Sequence, residues 1–100
     1  MSMEFRLGDF IAERRKELGL TQRAIAIKLD VTTQHISNIE TGRTVPSDGF
    51  CLKLARLLKL QPEFMILANH RERVSKQLRP YFTNAIVDCK RRIGEAKLPA

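Results

Sequence analysis

One hundred residues amount to one domain, or one domain with an appendage. A hydrophobic share of 43% argues against disorder along the whole chain, and the lack of Trp with a single Tyr argues against a platform that stacks splayed single-stranded bases. The 18 Lys and Arg outweigh the 11 Asp and Glu by a net charge of +7, which points to an anionic partner.

That charge is unevenly placed. Residues 1–68 hold 10 basic and 8 acidic residues, whereas residues 69–100 hold 8 basic and 3 acidic. The tail therefore carries most of the excess, either to meet phosphate or as a solvated helix face.

In chain order, the first helix is expected from Leu7 to Leu18, ending at Gly19. Its apolar positions Leu7, Phe10, Ile11 and Leu18 share one face. A second helix is expected from Gln22 to Leu29 with Thr21 as N-cap, burying Ile25, Ala26 and Leu29. Gln22 and Arg23 open it, where free amides and the positive end of the helix dipole make a phosphate site.

A third helix is expected from Thr33 to Thr41, with Thr32 as N-cap and Gly42 as its stop. At 100° per residue, Ile36, Ile39 and Glu40 fall on one side, and Gln34, Ser37 and Asn38 on the other. Thr33 sits at the entry turn and His35 flanks. A purely structural helix would place Glu and Lys on its wet face. This one presents short, neutral hydrogen-bonding groups, of which Asn and Gln pair with adenine edges and Ser and Thr with several bases. Thr33, Gln34, Ser37 and Asn38 are therefore the expected base readers.

A fourth helix is expected from Asp48 to Leu58, with Ser47 as N-cap and Cys51, Leu54, Ala55 and Leu58 buried. Gln61-Pro62-Glu63 opens a fifth, with Pro in the first turn where its missing amide costs little, and Phe64, Met65 and Leu67 close the core. Val74 and Leu78 suggest a short helix over residues 70–78, and Pro80 either interrupts it or starts the next helix. From Tyr81 to Ile93, an apolar stripe of Phe82, Ala85, Ile86, Cys89 and Ile93 recurs at helical spacing, opposite Asn84, Asp88, Arg91 and Glu95. A lone helix cannot bury such a stripe, so it packs on its own chain or on a second subunit; the latter makes it a dimerisation element.

The stretches LGDFIAERRKELGLTQ, IAIKLDVTTQHISNIETGRTVPS and LKLARLLKLQPEFMI together resemble the lambda-repressor/Cro-like helix-turn-helix family of transcription regulators, in unbroken register over about two-thirds of the chain. The resemblance implies an all-α fold: a five-helix DNA-binding domain over residues 1–68, followed here by a C-terminal helical extension over 69–100. It implies that the third helix reads double-stranded DNA as part of a two-fold homodimer, and that Gln22 clamps the DNA backbone. It also implies that Arg43 and Thr44 supply a second backbone contact. Finally, it implies an ion pair between Arg15 and Glu40, linking the first and third helices; the other reading of Arg15 is a surface arginine facing phosphate. Two positions depart from the pattern: Asp30 and Lys59 stand where the family usually or often has Gly after the second and fourth helices.

These readings converge on a sequence-specific regulator of bacterial or phage type, a repressor on a palindromic operator. The alternative is an antitoxin that binds operator DNA and grips a protein partner through residues 69–100. Catalysis is not expected: there is no nucleophile–base constellation and no glycine-rich phosphate loop. No cofactor is expected either, and Cys51 and Cys89 lack metal-site spacing. Without a signal peptide or a long apolar run, the expected compartment is the cytoplasm, with no membrane contact.

Overall fold

The computed structural model describes residues 6–92, with side chains to residue 89. Six helices form: α1 (Leu7–Glu17), α2 (Gln22–Leu29), α3 (Thr33–Glu40), α4 (Asp48–Leu57), α5 (Pro62–Arg73) and α6 (Arg79–Arg92). There is no strand among the described residues. The fold is all-α, and it divides after Val45 into two compact units.

Local chemistry sets most of the helix ends. Thr21, Thr32 and Ser47 each accept a hydrogen bond from the amide three residues on, at 3.0, 3.0 and 3.2 Å. Four helices end in the same turn. After α1 the amides of Gly19 and Leu20 reach back to Lys16 and Arg15. After α2 those of Asp30 and Val31 reach Ile27 and Ala26. After α3 those of Gly42 and Arg43 reach Ile39 and Asn38, and after α4 those of Lys59 and Leu60 reach Arg56 and Ala55. Each turn needs one left-handed residue. Gly fills two of the positions, while Asp30 and Lys59 fill the others, both at φ 57°. The two departures noted above therefore keep the turn and carry its steric cost in their own Cβ atoms.

In the first unit α3 packs against both α1 and α2. Leu7, Ile11, Ile25, Ala26, Ile36 and Ile39 are buried, each of the larger ones contributing about 1.5–3 kcal/mol of hydrophobic stabilisation. Phe10, Leu18 and Leu29 are half-buried. Gly8 sets how closely α1 meets the end of α3: a Cβ there would lie 2.3 Å from the carbonyl oxygen of Glu40 and 2.6 Å from that of Ile39. A glycine inside a helix costs about 1 kcal/mol relative to Ala, and this contact accounts for it.

In the second unit α5 packs on α4 and on α6. Its buried residues include Cys51, Leu54, Ala55, Leu58, Phe64, Met65, Ala68, Ile86 and Cys89, while Leu67 is half-buried. The boundary expected between residues 68 and 69 falls inside α5. That helix runs on because Asn69 is fully buried and its amide donates to the carbonyl of Pro46 at 3.0 Å and to Asp48 at 3.1 Å. The short helix expected over 70–78 does not form separately. Residues 70–73 complete α5, Val74 is extended, and a turn leads into α6. A continuous helix would drive the Pro80 ring into the carbonyl of Lys76, whereas Pro80 in the first turn of α6 costs little.

The stripe on α6 packs in cis. Ile86 and Cys89 are buried and Phe82 and Ala85 half-buried on a helix that lies against α5. Arg71 is buried on α5 and donates to Thr83 Oγ1 at 2.6 Å, adding a polar tie between the two helices. Ile93 and Glu95 lie outside the described residues, as does the side chain of Arg91.

Candidate nucleic-acid interface

α3 is amphipathic in an unusual way. Its buried side consists of Ile36, Ile39 and Glu40, and its only full charge is on Glu40. Thr33 and Gln34 are exposed, and His35, Ser37 and Asn38 are half-exposed. All four expected base readers thus reach solvent from one helix. Gln34 and Asn38, one turn apart, are joined by a bond from Gln34 Nε2 to Asn38 Oδ1 at 2.9 Å.

Glu40 ties the unit together. Arg15 donates to both of its carboxylate oxygens, Nε at 2.8 Å and Nη2 at 3.1 Å, and a third nitrogen of the guanidinium reaches the carbonyl of Leu20 at 3.0 Å. Gln22 Nε2 donates to the same carboxylate at 2.9 Å. One carboxylate therefore links α1, the first residue of α2 and the last residue of α3, and Arg15 extends the link to the turn after α1. The fork of an arginine suits a carboxylate held in this way.

Gln22 uses one of its two N–H bonds on Glu40 and keeps the second. Thr21 caps the amide of Ala24, so the amides of Gln22 and Arg23 stand at the open end of α2. Arg23 is exposed. Beyond α3, the carbonyl of Asn38 accepts from the amides of Arg43 at 2.9 Å and Thr44 at 3.2 Å. These amides are thereby committed to the turn, and any contact from this segment falls to the exposed Arg43 side chain and the half-buried Thr44.

Sequence reasoning passed over several residues that matter to this arrangement. Gly8 gave a signal, being a glycine within a predicted helix. Asn69, Arg71 and the approach of His70 to Asp48 at 3.3 Å gave none, because each depends on residues at least 12 positions away. Neither cysteine forms a disulfide, and burial pushes the Cys51 thiol up to about 11, which keeps it protonated and unreactive. No helix among the described residues is long and apolar enough to cross a membrane.

A family model described as "Helix-turn-helix" matches residues 11–65. The chain belongs to this family, the lambda-repressor/Cro-like group of helix-turn-helix DNA-binding transcription regulators. It is similar to an uncharacterized HTH-type transcriptional regulator of Methanothermobacter thermautotrophicus. That relative is 48% identical over 48 residues, covering 48% of this chain and 70% of the relative. It is also similar to a putative multi-protein-binding factor 1 of Yarrowia lipolytica, 32% identical over 59 residues, which cover 59% of this chain but only 39% of that protein. No solved structure gives a significant match.

Proposed function

We propose that the chain is a sequence-specific repressor that binds a palindromic operator as a two-fold dimer, with α3 in the major groove. Thr33, Gln34, Ser37 and Asn38 read base edges. Gln22, Arg23, Arg43 and Thr44 hold the phosphates on either side. One observation carries the reading: the outward face of α3 holds Thr33, Gln34, Ser37 and Asn38, hydrogen-bonding groups without formal charge, flanked by His35, and the helix's single carboxylate is buried and paired. Such a face enters the groove without repelling phosphate and without stripping water from a charge. Phosphate contacts supply affinity and orientation while base edges supply discrimination. The dimer part rests on kinship with the family, since the α6 stripe is covered by α5 of the same chain.

Selection from a randomised duplex pool at stated salt tests the reading. The expected product is an inverted repeat with half-sites about 10 bp apart, centre to centre. The Gln34→Ala protein should select the same repeat with one position per half-site relaxed. A pool that emerges unenriched would sink the proposal.

A second reading, an antitoxin or other regulator with a protein partner on residues 69–100, draws on one feature. Tyr81 is 70% exposed, and Leu78 and Val87 are about half exposed on the same segment. The name of the Yarrowia relative points the same way. Tyr81→Ser should then leave operator affinity intact and abolish co-purification of the partner; a loss of operator affinity would count against it.

A further inference from the structure

The bond between Gln34 and Asn38 changes what each can do at a base pair. An amide side chain has one carbonyl oxygen and two N–H bonds. Gln34 gives one N–H to Asn38 and keeps its oxygen and the other N–H. An acceptor beside a donor is the complement of adenine, which offers N6–H and N7. Guanine presents two acceptors to the same groove, and the Gln34 oxygen would face one of them.

The polarity of the Gln34 amide is what decides between these bases, and Asn38 sets it. Turning the amide by 180° would bring the Gln34 oxygen against the Asn38 oxygen, acceptor against acceptor. Asn38 is half-buried whereas Gln34 is exposed, so Asn38 is the more confined member of the pair and Gln34 the one held. Resting on the proposed role of α3, we infer that the part of Asn38 in that reading is made through Gln34 and not by a base contact of its own: Asn38 is a positioning residue that orients Gln34 for adenine at one base pair of each half-site. The two side chains make one reader, not two.

The test is a double-mutant cycle read as base preference. The duplex selected by the wild-type protein is compared with its single-base-pair variants, for wild type, Gln34→Ala, Asn38→Ala and the double mutant. The expected result is that Asn38→Ala lowers the adenine preference about fivefold or more, at the same base pair that Gln34→Ala relaxes. In the Gln34→Ala background, Asn38→Ala should change nothing further. Asn38→Asp keeps the accepting oxygen, so it should keep that preference while weakening every duplex alike through its added charge. Relaxation at a different base pair, or an equal loss in both backgrounds, would overturn the inference and make Asn38 an independent reader. If the wild-type protein selects no sequence at all, the role of α3 fails instead. Circular dichroism of each variant confirms that the fold is kept.

Discussion

The Arg15 guanidinium holds both oxygens of the Glu40 carboxylate, across 25 residues of sequence, with the two side chains only 12% and 5% exposed. Burying a single charge is far costlier than burying a matched pair. Arg15→Met leaves Glu40 with Gln22 as its remaining polar partner here and should destabilise the protein by about 3–5 kcal/mol. Adding Glu40→Leu should recover a large part of that loss, because the stranded charge is gone. Urea unfolding of the two variants and wild type checks this. A double variant no more stable than the single one would show that the pair's cost lies elsewhere.

Lys59 and Gly8 pose opposite backbone problems. Lys59 sits at φ 57° with its side chain in solvent, so Lys59→Gly removes a steric penalty and should stabilise by about 1 kcal/mol. Gly8 is buried, and an added methyl would meet backbone oxygens 2.3 and 2.6 Å away, groups that cannot swing aside as a side chain can. Gly8→Ala gains helix propensity of about 1 kcal/mol yet should still lower stability by about 1–3 kcal/mol through overpacking. Thermal unfolding of both variants separates the cases; a stabilised Gly8→Ala protein would mean that α1 can retreat from α3 without cost.

The same contrast shows what could be read without coordinates. Thr21, Thr32 and Ser47 act on amides three residues away, so their capping was legible from spacing alone. The amphipathic face of α3 was legible too, because it follows from the helical period. Gly8 stood out as a glycine within a helix, but what it is for was not legible, since that comes from two carbonyls more than 30 residues later in the chain. The break between α5 and α6 is hidden from helical spacing, which Val74 and Leu78 both fit, while the steric demand of Pro80 falls on a carbonyl four residues earlier. The stripe on α6 announced a packed face without saying what covers it, and only the fold supplies α5 as the partner.

Asp48 ties α4 to α5 through a bond that depends on its charge. The amide of Asn69 holds the carboxyl below its ordinary value of 3.8, and His70 and Arg73 add to this against the cost of desolvation. A carboxyl whose value is depressed in the folded state stabilises that state above the unfolded value. The contribution is lost as pH falls through the depressed one. The wild-type protein should therefore be more stable than Asp48→Asn at neutral pH, and the gap should close as the pH falls below 3.8. Denaturant unfolding of the pair across that range reads the gap directly; a gap unchanged far below 3.8 would mean that ionisation of Asp48 plays no part.

Arg43 and Gln34 should separate affinity from discrimination. The amide of Arg43 is taken by the carbonyl of Asn38, so its exposed guanidinium is the group available to a phosphate, while Gln34 carries no charge. Each phosphate neutralised steepens the fall of log affinity with log salt by about 0.9. Arg43→Ala should thus flatten the slope by about that amount and weaken cognate and random duplexes by the same factor. Gln34→Ala should leave the slope alone and bring the cognate duplex closer to the random one, by about 1–3 kcal/mol. Titrations of both variants on both duplexes at several salt concentrations give all four numbers. If Arg43→Ala narrowed the cognate advantage with no change of slope, its side chain would be reading a base, and the division between the turn that holds the backbone and the helix that reads would have to be redrawn.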